Sequence, residues 1–168
     1  MIYSYYGLGQ GKTSALNGIC LRAIASKKPI LYVRFFKSIQ STEDQILEKL
    51  GVKVHLFQTT KHFIWTKNER EREKIISEAK LALNYVEKEY KNFTYIFLDE
   101  IIDLVTNKIL NSNDFCKLLK KISKGRYIFI SGHHMDKNIF KISDVLTHME
   151  KQKHHYDLGV SVKKFIDY

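Results

Sequence analysis

Proline is nearly absent from this chain: one residue in 168, with two cysteines, one tryptophan and eight glycines. So little proline excludes proline-rich linkers and extended polyproline segments. Hydrophobic residues make up 44% of the sequence, which excludes a disordered chain. No apolar run reaches the length of a membrane span, and no signal peptide opens the sequence. The first motif begins so close to Met1 that no targeting segment is expected before it. Cys20 and Cys116 match no metal or redox spacing and are expected as small core residues in a reducing compartment. These absences point to a cytoplasmic protein, and the length suits one domain, residues 1–168, with its own core.

Charge is present in excess. Formal net charge is +10, with a pI near 9.5. A basic surface suits nucleotides, an acidic protein partner or nucleic acid. No nucleic-acid recognition motif accompanies the charge, so nucleic acid is not the expected ligand. Residues 68–91 carry both signs, with Ile75, Ala79, Leu83, Val86 and Tyr90 at helical spacing on the other side.

Apolar runs at 2–6, 30–36, 52–57, 95–98, 127–130 and 145–149 read as strands. Helical patterns fill 12–25, 42–50, 68–91, 112–122 and 136–141. Continuously apolar strands alternating with helices predict an α/β fold, a mostly parallel sheet covered by helices on both faces. In such sheets ligands bind beyond the carboxyl ends of the strands.

Three segments with chemistry follow strands directly. The first is Gly7-Leu8-Gly9-Gln10-Gly11-Lys12-Thr13, between the run 2–6 and a helix opening at Ser14. Glycines there let backbone N–H groups converge on an anion, and the helix N-terminus adds its dipole. Lys12 neutralises phosphate charge, and the Thr13 hydroxyl is suited to Mg²⁺. The second is Asp99-Glu100, read either as the carboxylates of a Mg²⁺–nucleotide site or as a helix cap. The third is Ser131-Gly132-His133-His134, read as a polar turn or as a phosphate or ribose contact. Adjacent histidines point apart and do not share a metal. By composition alone, Phe63 and Trp65 in His62-Phe63-Ile64-Trp65 are expected in the core. The other reading is a platform for a large flat ligand. The basic ending, Lys153 through Tyr168, reads as a solvated tail with an apolar anchor.

Taken in order, these pieces resemble the P-loop type of ATP:corrinoid adenosyltransferases. That family's loop, T-G-x-G-K-G-K-T-T, corresponds to Tyr6 through Ser14. Its Q-F-I-K-G corresponds to Arg34-Phe35-Phe36-Lys37-Ser38. Its G-F-T-W and N-R-E correspond to His62-Phe63-Ile64-Trp65 and Glu69-Arg70-Glu71. Its L-D-E is Leu98-Asp99-Glu100, its L-T-G-R is Ile130-Ser131-Gly132-His133, and its A-D-L-V-T-E-M is Ser143 through Met149. Its ending, K-H-x-F-x-x-G-V, corresponds to Lys153 through Val160 and continues to Tyr168. Gln10, His133, His148 and Lys163 stand where the family has lysine, arginine, an acid and glutamine.

The resemblance implies a P-loop NTPase-like, RecA-like fold. It implies transfer of the 5′-deoxyadenosyl group of ATP to Co(I) of a corrinoid, with release of triphosphate. It implies nucleotide binding by Gly7, Leu8, Gly9, Gln10, Gly11, Lys12, Thr13, Ser14 and Arg22, and corrinoid binding by Phe63, Trp65, Arg70 and His154. Mg²⁺ would sit with Thr13, Asp99 and Glu100. Lys12, Phe63 and Trp65 would carry the catalysis. A homodimer and a transient reduced flavoprotein donor are also implied. The rival readings are a P-loop ATPase or phosphotransferase and an ATP-dependent nucleic-acid-binding module.

Overall fold

A computed structural model describes residues 1–161, 163, 165 and 166; Val162, Lys164, Asp167 and Tyr168, part of the basic ending, lie outside the described residues. Six strands form one sheet: β1 (Ile2–Tyr6), β2 (Ile30–Arg34), β3 (Lys53–Leu56), β4 (Tyr95–Asp99), β5 (Tyr127–Gly132) and β6 (Val145–His148), ordered β3-β2-β4-β5-β1-β6. Every pairing is parallel. Parallel strands need crossover connections, and the helices supply them. These are α1 (Lys12–Ile24), α2 (Thr42–Lys49), α3 (Glu69–Glu89), α4 (Asp103–Thr106), α5 (Ser112–Ile122) and α6 (Lys137–Ile142).

Alternation along each strand splits the apolar residues into two cores. Leu31 and Val33, Ile96 and Leu98, and Ile128 and Ile130 face a core completed by Ala79, Ala82 and Val86 of α3, Phe115 and Leu119 of α5, and Ile139 of α6. Tyr32, Phe97 and Phe129 face the other, with Leu16, Cys20 and Ala23 of α1 and Leu47 of α2. On that side the register aligns four rings across neighbouring strands. Tyr32 stacks on Phe97 at 5.3 Å, Phe97 on Phe129 at 4.5 Å, and Phe129 on Tyr3 at 4.8 Å. Each such pair contributes about 0.5–1.5 kcal/mol beyond its buried area. Both cysteines are buried, as expected.

The differences from the sequence reading lie at strand ends. β2 stops at Arg34 rather than 36 because Phe36 takes a left-handed backbone, φ 55°. β5 runs on through Ser131 and Gly132, which pair with Tyr5 and Tyr6 of β1. The charged helix begins at Glu69 behind Asn68, whose side chain accepts the Glu71 N–H, and its last turn tightens into a 3₁₀ segment, Tyr90–Asn92. Neither α4 nor the 3₁₀ turn His155–Leu158 was foreseen. Among the described residues no helix is long and apolar enough to cross a membrane.

Candidate active site

β1 delivers the glycine-rich loop to the carboxyl edge of the sheet, and α1 leaves from it. Gly7 and Gly11 have φ of 119° and 103°, backbone that side chains rarely adopt. Gly11 is the N-cap of α1; it supplies no side-chain cap, and no acid stands in the first turn. Helix N–H groups left without an internal partner are an anion site. Lys12 folds over the loop, Nζ donating to Gly7 O at 2.7 Å and Gly9 O at 3.0 Å. Burial lowers its pKa, opposed by the nearby Glu100, Asp103 and Asp99.

Glycine has a second use here. The chain leaving β6 crosses above the loop, with Met149 N donating to Tyr6 O and Gly9 N donating to Met149 O at 2.8 Å. A Cβ on Gly7 or Gly9 would lie 2.3 or 2.6 Å from Met149 O, so neither position admits a side chain.

β4, two strands from β1, ends on the carboxylates. Asp99 is buried and accepts from Ser131 Oγ at 2.6 Å, Thr13 Oγ1 at 3.0 Å and Arg34 Nη1 at 2.8 Å. Lys37 Nζ lies 3.6 Å away. Burial pushes the Asp99 carboxyl up, but Lys37, Arg34, Ser131 and Thr13 outweigh it and hold it below the usual range. Glu100 turns into a left-handed backbone, φ 63°, its N–H taken by Ser131 Oγ at 2.8 Å. Burial, then the charge of Asp99, raises its pKa to about 7. Thr13 Oγ1 and Asp99 thus form a pair of hard oxygen donors below the loop. Among the described residues no three His, Cys, Asp or Glu side chains cluster to hold a metal.

The 131–134 segment is resolved into two parts. Ser131 and Gly132 belong to β5, whereas His133 sits beside the loop, its carbonyl accepting from Gly7 N at 3.2 Å. Asp103 of α4 holds His133 twice, Oδ2 to Nδ1 at 2.6 Å and Oδ1 to the backbone N–H at 2.9 Å. That hydrogen bond raises the His133 pKa.

The core expectation for Phe63 and Trp65 is corrected. They are 60% and 73% exposed, and the core residue is Ile64 between them, 6% exposed. A tight turn, closed by Thr66 N donating to Phe63 O at 2.9 Å, puts Ile64 inside and its two neighbours outside. The two rings stack on each other at 4.7 Å, 2° from parallel. Four strand spacings, roughly 19 Å, separate β3 from β1 along the same sheet edge.

The remaining residues divide. Leu8, Gln10 and Ser14 are exposed on or beside the loop, and Arg70 is exposed in the first turn of α3. His154 is half-buried as the N-cap of the 3₁₀ turn, accepting from Tyr156 N. Arg22 is exposed in the last turn of α1, about 15 Å along the helix from the loop, and the structure does not bring it there.

In the sequence Arg34 stands out only as part of a motif. It is fully buried, ion-paired to Asp44 and Asp99, and donates to Asn17 Oδ1 at 3.3 Å. An arginine ending an apolar strand was its signal. Asp103 carried no comparable signal.

The family model described as ATP:corrinoid adenosyltransferase BtuR/CobO/CobP matches residues 1–168. The chain is 26% identical over 174 residues to the Corrinoid adenosyltransferase of Escherichia coli (strain K12), covering 100% of this chain and 85% of that one. It is 25% identical over 169 residues to Corrinoid adenosyltransferase CobA of Salmonella typhimurium (strain LT2), with the same coverage. Among solved structures, domain III of the Thermotoga maritima replication initiation protein DnaA aligns with a TM-score of 0.47 at 13% identity, over 89% of this chain and 54% of that one.

Proposed function

The chain belongs to the ATP:corrinoid adenosyltransferase family, and from that premise we propose how its residues divide the reaction. Co(I) of a corrinoid attacks C5′ of ATP. A Co–C bond forms, the C5′–O bond breaks, and its electron pair leaves with triphosphate. The nucleophile carries no proton, so no general base is needed. Catalysis rests on positioning and on stabilising the triphosphate as it gains charge.

Backbone N–H groups of residues 7–14 and Lys12 hold the phosphates, with Lys12 exchanging the Gly7 and Gly9 carbonyls for phosphate oxygens. Gly9 N exchanges Met149 O in the same way. Thr13, with Asp99 behind it and Glu100 beside it, would hold Mg²⁺, whose charge would favour departure of the triphosphate. Asp99, which already accepts from Arg34, Ser131 and Thr13, and Glu100 would supply the carboxylates for the ion, one directly and the other through water.

Phe63 and Trp65, with Arg70 and His154, bind the corrinoid. The rings displace the axial donor below the metal, which makes Co(II) easier to reduce to Co(I). The observation that carries this reading is the exposed parallel ring pair pinned by buried Ile64, on the same sheet edge as the uncapped α1. Two apolar rings without a core to fill are suited to a large flat ligand.

The protein is cytoplasmic and a homodimer; the exposed Leu158 and Ile166 are apolar surface that suits a second copy. The electron donor is an acidic reduced flavoprotein, docked on the exposed Lys61, Lys67 and Arg70.

The experiment compares adenosylation starting from Co(II) with a reductant and from chemically prepared Co(I). Replacing Phe63 and Trp65 by alanine should impair the first more than the second. Equal losses would remove the proposed role in reduction.

A further inference from the structure

We propose that Gln58 and Glu78 are positioning residues that hold the Phe63–Trp65 pair out from the protein surface, a role that rests on the corrinoid reading of that pair.

Residues 57–68 form no helix or strand, yet their backbone is tied from inside. Gln58 is 8% exposed, and its Nε2 donates to Thr60 O at 2.8 Å and to His62 O at 2.9 Å. Those two carbonyls flank the segment leading into Phe63. Glu78, equally buried on α3, accepts from Thr59 N at 3.1 Å and from Thr59 Oγ1 at 2.6 Å. Among the described residues Glu78 has no ion-pair partner within 4.0 Å, and both hydrogen bonds it accepts come from Thr59. A carboxylate is costly to bury unless hydrogen bonds compensate it. That cost makes the bonded loop geometry strongly preferred over a relaxed one. Thr60 Oγ1 then accepts His62 N at 3.2 Å, and Thr66 N closes on Phe63 O at 2.9 Å.

Only Ile64 of the three residues 63–65 is packed inside, so packing alone does not keep the rings outward. Collapse of both rings onto the surface would bury apolar area, which water favours. The clasp opposes it by fixing the backbone immediately before Phe63. Gln58 Oε1 is buried without a hydrogen-bond partner among the described residues. An apolar side chain would avoid that cost, so the advantage of glutamine here is the two carbonyls its nitrogen holds. Gln58 and Glu78 also line one small cavity with Arg34, which reaches Asp99.

Trp65 is the single tryptophan, so its fluorescence reports this loop directly. The test uses the full chain with Gln58→Leu, Glu78→Ala, Glu78→Gln and Thr59→Ala. Two quantities are read: steady-state anisotropy of Trp65, and the ratio of adenosylation rates from Co(II) and from Co(I). Gln58→Leu and Glu78→Ala should lower the ratio about tenfold or more and lower the anisotropy, with KM for ATP little changed. Glu78→Gln keeps an acceptor for the Thr59 hydroxyl and should recover part of both. If either of the first two fails to fold, Thr59→Ala, on an exposed residue, should give a smaller loss of the same kind. Unchanged anisotropy and an unchanged ratio in folded clasp variants overturn the proposal. If the Phe63→Ala/Trp65→Ala control lowers the ratio while the clasp variants do not, the clasp alone is wrong. If the control leaves the ratio unchanged, the corrinoid role falls and the clasp proposal with it.

Discussion

Replacing Arg34 by methionine removes a cation that sits between two buried carboxylates. Asp44 is 0% and Asp99 1% exposed, and the guanidinium contacts both. Methionine has a similar length and no charge. Asp44 keeps the Ser41 N–H of its capping box at 2.9 Å, and Asp99 keeps Ser131, Thr13 and the more distant Lys37. Those bonds soften the loss, but among the described residues Asp44 is left without an ion pair and Asp99 with Lys37 alone. Removing one partner of a buried ion pair costs about 3–5 kcal/mol. For a chain of this size that corresponds to a fall of roughly 6–20 °C in Tm. Thermal unfolding followed by circular dichroism measures it, and urea unfolding gives the free energy. The triple variant Arg34→Met/Asp44→Asn/Asp99→Asn should be more stable than Arg34→Met, because it removes the stranded charges. A Tm within about 2 °C of the parent for Arg34→Met, or a triple variant less stable than the single one, would refute the electrostatic reasoning.

Three further outcomes follow from the site. Lys12→Ala should lower kcat/KM for ATP by a few tens to about a thousandfold, a loss of about 2–4 kcal/mol in transition-state stabilisation; wild-type kcat/KM would remove Lys12 from the phosphate site. Glu100 titrates near pH 7 in the fold against 4.5 when unperturbed, so the folded state binds the extra proton and stability should fall as pH rises between those values. Glu100→Gln should flatten that slope in urea unfolding between about pH 5 and 7, and an unchanged slope would assign it elsewhere. Reductase-coupled activity should fall steeply as salt rises, since the Debye length shrinks from about 10 Å at 0.1 M to about 3 Å at 1 M, while activity with pre-reduced Co(I) changes less. Parallel salt curves would reject docking on Lys61, Lys67 and Arg70.

The sheet was legible because each strand is a continuous apolar run and each long helix has a periodic face. Ile2 through Tyr6 and Ser112 through Ile122 fall where the pattern puts them. Strand ends were less legible, because Phe36 and Glu100 adopt left-handed backbones that no local propensity favours and that the surrounding site imposes. The phosphate loop was readable from its glycines, but the crossing of Met149 was not, since it joins residues 140 positions apart. Phe63 and Trp65 misled by composition, because aromatic residues usually mean core. Their exposure depends on Gln58 and Glu78, and a polar clasp leaves no period in the sequence. Asp103 was hidden in the same way, and Arg34 showed only as an arginine ending an apolar strand: a buried charge becomes intelligible only when its partners are placed.

The products formed from ATP and reduced corrinoid under anaerobic conditions test the adenosyl transfer most directly. Purified protein with Mg²⁺, ATP and chemically prepared Co(I) should yield a cobalt–carbon adenosyl product and triphosphate in equal amounts, both measured on the same sample. Release of ADP and phosphate without the cobalt–carbon product would contradict it and return the chain to ATP hydrolysis or phosphoryl transfer.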